Sequence, residues 1–381
     1  MPKNTLKIGL IVDDGIDRLD GVQKYTVTIG NYFASLGHEV HYLCGQTTRT
    51  DIPNIHSLSR NVSIRSNGGN QLTIPLPVSK RKIKKLLDKE KFDVLHVQTP
   101  YSPFLAGRII NYAHGKTPIV GTFHILPFSI WQIAGSYLLG LLQTFSIKKV
   151  DTFWSVSTPA QVFAKKTFRI NSTVLPNPVV IKDFKPKAPK KQEGKTVRLV
   201  YLNRLVKRKG CMQLLEALWW AIDNNKVNRA IHLDICSDGY DRKRLEEYVA
   251  THNLEENVTF HGYITDKEKA ILLQQADIAV FPSLGGESFG IVLIEAMAAG
   301  AGAVIGGNNP GYASVLYRED TLFDPNNTEQ FGSILAELIG NDKKRAEIHE
   351  YQQKMIDTYD VAIVGDQLLK KYQSLHKKHQ V

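Results

Sequence analysis

The sequence predicts an α/β protein made of two Rossmann-like, doubly wound domains facing a central cleft. Three observations carry that reading. Short apolar, β-branched runs alternate with amphipathic stretches of helical length, which implies parallel strands joined by right-handed crossovers. The runs are apolar throughout instead of alternating, as in strands covered on both faces. The alternation halts at a Lys- and Pro-rich stretch and then restarts, and 381 residues exceed the roughly 250–300 that one core holds.

Taken in order, the first half offers strands at Leu6–Val12, Glu39–Cys44, Asp93–Gln98, Pro118–Phe123, Phe153–Ser157 and Thr173–Leu175. Helices are expected between them at Val22–Leu36 and Pro103–His114. Lys182–Lys195 has little apolar content and reads as a linker. Strands resume at Val197–Asn203, Ile231–Cys236, Val258–His261, Ile278–Pro282 and Gly302–Ile305. Helices fall near Met212–Asn225, Asp241–His252, Lys267–Ala276 and Ile291–Ala299, and the chain from about Lys343 onward is helical and polar. The expected domains are residues 1–181, a linker at 182–196 and residues 197–358. A C-terminal helix at 359–381 is expected to return to the first domain. In such sheets ligands bind beyond the carboxyl ends of the strands.

Composition excludes several classes. With 43% hydrophobic residues the chain is not globally disordered. Three widely spaced Cys (Cys44, Cys211, Cys236) and no CxxC argue against a disulfide scaffold or structural zinc and suit a reducing cytosol. The opening residues lead straight into a strand without a leader-like segment, and no apolar run reaches the roughly 18–20 residues of a span. The charge, 48 Lys+Arg against 37 Asp+Glu, gives +11. That surplus suits nucleic acid, an acidic substrate or an anionic membrane.

The motif richest in chemistry is Gly285-Gly-Glu-Ser-Phe-Gly-Ile-Val-Leu-Ile-Glu295-Ala-Met-Ala-Ala-Gly300. A strand leads into a Gly pair and a helix opening at about Phe289, whose free N–H groups suit a diphosphate. Glu287 before the helix and Glu295 within it can accept hydrogen bonds from different hydroxyls of one sugar-bearing ligand. Arg204 and Lys209, in Arg204-Leu-Val-Lys-Arg-Lys209-Gly210, place cations at a strand end that can neutralise a leaving diphosphate. Lys207 and Arg208 offer further charge there. Gly21, in Asp20-Gly-Val-Gln23, sits in the first βα turn, where its backbone can approach a phosphate.

Glu287-x7-Glu295 within this stretch resembles the hallmark of family 4 glycosyltransferases, which have the GT-B fold. The resemblance extends to Asp20-Gly-Val-Gln23, Phe92-Asp-Val-Leu-His96, Thr122-Phe-His124, Leu175-Pro-Asn-Pro178 and Arg204 with Lys209-Gly210. Within the family the chain most resembles the phosphatidyl-myo-inositol mannosyltransferases. The resemblance implies a retaining, metal-independent hexosyltransferase that needs no cofactor beyond its nucleotide-sugar substrate, GDP-mannose. It implies donor contacts from Gly21, Arg204, Lys209, Glu287, Ser288, Phe289, Gly290, Ile291 and Glu295. Ile264, Asp266 and Lys269 would sit near the base, with Asp266 accepting from a guanine edge; Asp266 also reads as a plain helix N-cap. His124 would lie at the reacting sugar, and Gln23 with Asp14 and Tyr101 near the acceptor. Asp14, Tyr101 and Ile125 depart from the polar residues of the inositol-lipid enzymes. No acidic pair in the expected place suggests a metal; Asp13-Asp14 lacks supporting ligands.

The basic surplus concentrates at Ser79–Lys91, where Lys80, Arg81, Lys82, Lys84 and Lys85 surround a narrow stripe of Ile83, Leu86 and Leu87. Such a helix suits anionic headgroups, or is a solvated helix packed on its domain. Leu126–Ile147 is apolar, uncharged and broken by Pro127, Gly135 and Gly140. It reads as helices lining an apolar acceptor groove or touching lipid, or as ordinary core, and not as a span. The expected protein is cytoplasmic, peripheral to the inner face of a membrane, with a lipid acceptor. The rival readings are a cytosolic transferase building a soluble or polymer glycan from a UDP-sugar and a sugar-nucleotide epimerase on the same fold. A nucleic-acid partner is disfavoured because the basic runs lack interleaved aromatics. Glu287, on a turn, is expected to tolerate Gln with little effect on folding.

Overall fold

The structure is a computed structural model that describes residues 5–17, 20–65, 71–185 and 196–380. The chain divides into two compact units. The first combines the chain up to Pro178 with Asp360–Val381, and the second is Val179–Tyr359.

The first unit is built on strands β1 (Lys7–Ile11), β2 (Glu39–Cys44), β3 (Ile55–Ser57), β4 (Asn61–Arg65), β5 (Gln71–Pro75), β6 (Val94–Val97), β7 (Ile119–Phe123), β8 (Thr152–Ser155) and β9 (Thr173–Val174). Seven of them form a parallel sheet in the order β3-β2-β1-β6-β7-β8-β9, while β4 and β5 make a separate antiparallel pair. The order reverses direction between β1 and β6, which opens the crevice where doubly wound sheets take ligands. Ile8, Leu10, Val94 and Val120 on one face and Ile11, Leu95 and Val97 on the other are fully buried, so both sheet faces are covered. The short edge β3 and the β4–β5 pair escaped the sequence pattern: three residues carry no period, and Asn61–Arg65 alternates as a one-sided hairpin strand does.

The C-terminal helix Val361–Gln380 packs on the helix Gly21–Ser35 of this first unit. Val364, Leu368, Tyr372 and Leu375 recur at helical spacing and are buried with Ile29 and Phe33. The Tyr372 hydroxyl lies 2.5 Å from His96 Nδ1, and His96 Nε2 lies 2.6 Å from Thr122 Oγ1. A buried polar line thus ties the C-terminal helix to β6 and β7.

The second unit continues with β10 (Thr196–Leu202), β11 (Ala230–Cys236), β12 (Val258–Gly262), β13 (Ile278–Phe281), β14 (Ala303–Gly307) and β15 (Leu322–Phe323). They form one parallel sheet, β12-β11-β10-β13-β14-β15, reversing between β10 and β13. Part of the expected linker belongs to this unit. Ile181–Phe184 is a short helix, and Ile181 and Phe184, three apart, are both buried. Residues 186–195 lie outside those described.

Tyr372→Phe removes a hydroxyl whose partner is fully buried. Its expected cost is about 1–3 kcal/mol, read as a lower urea midpoint for the unfolding of the first unit.

Candidate active site

In the second unit, three segments meet at the carboxyl ends of β10 and β13. After β10 the chain makes a single 3-10 turn, Lys207–Lys209, which ends at Gly210 with φ 74°. A Cβ on Gly210 would stand 1.9 Å from the carbonyl oxygen of Pro282. Only glycine allows the β10 turn to back onto the β13 turn this closely. The contact is tied on the other side by Leu284 N–H donating to the Arg208 carbonyl at 2.9 Å.

That approach converges charge on one oxygen. Glu287 Oε1 accepts from Arg208 NH1 at 2.6 Å, Lys209 Nζ at 2.8 Å and Ser283 Oγ at 2.6 Å. Glu287 is 13% exposed and Lys209 11%. Burial alone would raise the Glu287 carboxyl, but the charges of Lys209 and Arg208 bring it down to about 2. Burial pulls the Lys209 ammonium down, against the support of Glu287. Arg204 is half-buried and close enough for its charge to lower Lys209 further. Arg208 had been only an alternative in the sequence, and Ser283 was missed. Arg208 directly precedes Lys209, and Ser283 lies two residues past the end of β13, in the turn that carries Glu287. Three donors on one buried carboxylate also correct the expectation that Glu287→Gln would have little effect on folding.

The Gly285–Gly290 turn runs through positive φ at Gly285, Gly286 and Gly290. The helix begins at Ile291, not at Phe289, because Gly290 at φ 142° is its N-cap. Phe289 is buried against Tyr359 with ring centroids 5.8 Å apart, and Ser288 is half-buried. Glu295 is buried within that helix, and Lys269 Nζ lies 3.5 Å from its Oε1 and 2.6 Å from Asp266 Oδ1. Lys269 therefore links the Asp266 corner to Glu295. Asp266 is not the N-cap: Thr265 is, in a capping box with Glu268, and Asp266 is the first helical residue. Ile264 is half-buried just before it.

In the first unit the corresponding strand ends carry Asp13, Gln98 and His124. His124 Nε2 lies 3.0 Å from Gln98 Oε1, and its ring meets Tyr25 edge-on at 4.9 Å. Burial pushes His124 down to about 3, so it is a neutral imidazole at ordinary pH. Asp13 Oδ1 accepts from the Ala106 N–H at 2.6 Å. Burial raises Asp13 to about 7, against that hydrogen bond and with help from Asp14. Asp13 Oδ2 and Gln98 Nε2 are buried without a partner among the described residues, so a polar ligand would complete them. In the sequence Asp13 stands out only as part of the Asp13-Asp14 pair. Gln23 is buried and donates from Nε2 to Asp14 Oδ2 at 3.1 Å. Gly21 is exposed at the first turn of its helix. Tyr101 packs its ring on Phe123 and Phe168, at 5.3 and 5.2 Å.

The basic helix spans Lys80–Glu90, capped by Ser79, with Ile83 buried. Lys80, Arg81, Lys84 and Lys85 are exposed. Lys82 differs: its ammonium donates to the carbonyls of Ser57 and Leu58 at 3.0 and 2.8 Å, so it turns back on its own unit. Among the described residues, no helix is long and apolar enough to cross a membrane. One grouping of metal-ligating type occurs among them, His41, His56 and Glu90. There His41 Nδ1 and His56 Nε2 already bond each other at 2.8 Å, and Lys7 holds Glu90 at 3.0 Å.

The family profile "Glycosyltransferase Family 4" matches residues 19–183, and "Glycosyl transferases group 1" matches residues 182–355. The chain is 29% identical to the phosphatidyl-myo-inositol mannosyltransferase of Mycolicibacterium smegmatis over 97% of this chain and 94% of that one. It is 23% identical to the GPI3 subunit of phosphatidylinositol N-acetylglucosaminyltransferase from Saccharomyces cerevisiae, over 93% and 80%. Among solved structures it shares its fold with Anabaena HepE in complex with UDP and glucose, with a TM-score of 0.74, 17% identity and coverage of 97% and 100%. Fold and matches define a glycosyltransferase of the GT-B type. The chain belongs to the family 4 glycosyltransferases.

The depressed imidazoles set an acid limit. His96 is held down to about 3 as well, by burial and then by His124. Unfolded, both would titrate near 6.5, so the unfolded chain binds more protons between about 6.5 and 3. Stability from this pair is expected to be complete above about pH 6.5 and to fall as the pH drops toward 3. NMR of the imidazole nitrogens should show neither ring titrating between pH 5 and 8.

Proposed function

We propose that the protein transfers mannose from GDP-mannose onto a membrane lipid of the phosphatidylinositol type, with retention at the anomeric carbon and without a metal ion. The observation that supports this most is the buried Glu287 carboxylate held by Lys209 and Arg208 at the strand ends. A carboxylate ionised and dry in this way is a strong acceptor for sugar hydroxyls. When the donor binds, Lys209 and Arg204 take the diphosphate, joined by backbone N–H groups of Ser288 to Ile291 at the helix start. Gly21 adds a backbone contact to the phosphate. Asp266 accepts from the guanine edge beside Ile264, with Lys269 keeping Asp266 and Glu295 in register.

In the transfer step the bond from the anomeric carbon to the diphosphate oxygen breaks as the acceptor hydroxyl oxygen attacks on the same face. The hydroxyl proton passes to the departing phosphate oxygen, and the negative charge of the leaving group is spread over Lys209 and Arg204. Neutral His124 orients the sugar by hydrogen bonding instead of taking the proton. Gln23 and Asp14 hold the acceptor headgroup beside Tyr101. The similarity to phosphatidyl-myo-inositol mannosyltransferases supports the lipid acceptor, and Lys80, Arg81, Lys84 and Lys85 suit an anionic headgroup surface. On this reading the protein works at the inner face of a membrane.

A donor panel of GDP-mannose, UDP-glucose and UDP-GlcNAc with labelled sugar and a crude lipid extract tests the reading. Label is expected in the lipid phase from GDP-mannose. Label in water-soluble glycan from a UDP-sugar would favour the soluble-acceptor alternative, and conversion of donor without an acceptor would favour the epimerase. Glu287→Gln is expected to cut transfer by about a hundredfold or more. The same change should lower stability by about 3–5 kcal/mol, since Lys209 and Arg208 lose their shared counter-charge. Full transfer by that variant would remove Glu287 from the reaction.

A further inference from the structure

The helix Ile130–Ile147 in the first unit is built inside out. The residues it turns to the protein are Ser136, Gly140, Gln143 and Ser146, spaced so that they fall on one stripe, with Ile147 at the end. A Cβ on Gly140 would meet the Thr167 carbonyl oxygen at 2.5 Å, so the seat against the helix Thr158–Phe168 is cut for glycine. Ser146 Oγ accepts from Asn111 Nδ2 at 3.0 Å. The outward face carries the large apolar groups. Ile130 is 80% exposed, Trp131 86%, Leu138 58%, Leu141 68%, Leu142 63% and Phe145 79%. A helix at a water-facing surface has the opposite polarity. Small and polar residues turned inward with large apolar ones turned outward is the arrangement of a helix that meets lipid. This excludes the reading of the segment as ordinary core.

We infer that this face is a membrane-insertion surface, lying in the plane of an anionic bilayer with its apolar side chains below the headgroups. Charge identifies the occupant. The helix has no charged residue, and Lys148 and Lys149 follow it directly. The helix Leu105–Ala113 packs against both this helix and the basic helix Lys80–Glu90. The apolar face therefore has cationic neighbours, which an anionic headgroup layer complements. A second copy of the chain fits less well, because a two-fold interface would press like-charged rims together. Attachment then has two parts. The basic helix supplies a component that salt screens, and the apolar helix supplies one that salt does not. The inference deepens the lipid-acceptor reading and rests on it for its purpose, but its test contains no sugar donor.

The test is flotation of the full chain with vesicles of phosphatidylcholine, with and without phosphatidylglycerol, at low and high salt. A variant carrying Trp131→Gln, Leu141→Ser and Phe145→Ser is expected to lose about a hundredfold in partition at high salt. Its thermal midpoint should hold, because all three side chains are exposed. Replacing Lys80, Arg81, Lys84 and Lys85 with Ser should weaken binding at low salt only. Brominated acyl chains should quench a fluorescence component present in the parent chain and missing from Trp131→Phe. Unchanged flotation of the triple variant, or no quenching of Trp131, overturns the inference. So does a parent chain that sediments as a dimer while the triple variant is a monomer, which would assign the face to a second copy. If vesicles bind as expected but no lipid accepts sugar, the lipid-acceptor reading fails and the insertion surface stands.

Discussion

One carboxylate oxygen, Glu287 Oε1, organises the second unit's strand ends. It accepts from Arg208, Lys209 and Ser283 at once. The three donors come from the turns after β10 and β13, which are neighbours only because the sheet reverses direction between them. Gly210 makes the meeting close enough, since any side chain there would strike Pro282. Removing one partner of such a buried group leaves charge without compensation, so the cluster ties the fold to the chemistry. Lys209 and Arg208 share this one counter-charge.

The first unit follows a different logic. Its strand ends are polar but neutral: His96 and His124 are kept uncharged by burial, and Asp13 is pushed toward neutrality. Such a setting offers hydrogen-bonding groups with little charge on the imidazoles. The same unit reverses its polarity at the surface, with Gly140 and Gln143 inward and Trp131 and Phe145 outward on one helix. Strand ends suited to hydroxyls and a surface suited to lipid occur together in one unit.

Much of this was legible in the residues. The β-branched runs marked Glu39–Cys44, and the Gly-rich stretch located the turn around Glu287, because strand composition and glycine placement are local signals. Edge strand Ile55–Ser57 is too short to carry a period, and the hairpin strand Asn61–Arg65 alternates, unlike the continuously apolar runs that mark the sheet strands. The role of Arg208 was ambiguous because three neighbouring cations share one loop, and only the 3-10 turn decides which of them reaches Glu287. Asp266 shows the same limit: Thr265 and Asp266 are both capping residues by type, and the backbone selected Thr265. The direction faced by Leu126–Ile147 depends on what its small residues pack against, which no run of apolar letters reveals.

Titration calorimetry of the full chain with GDP and with UDP addresses the strand-end site most directly. GDP is expected to bind, about tenfold or more tighter than UDP, and Lys209→Ala should weaken GDP binding by about a hundredfold. No binding of either nucleotide at millimolar concentration, or GDP affinity unchanged in Lys209→Ala, would contradict the assignment of this cluster to the donor diphosphate.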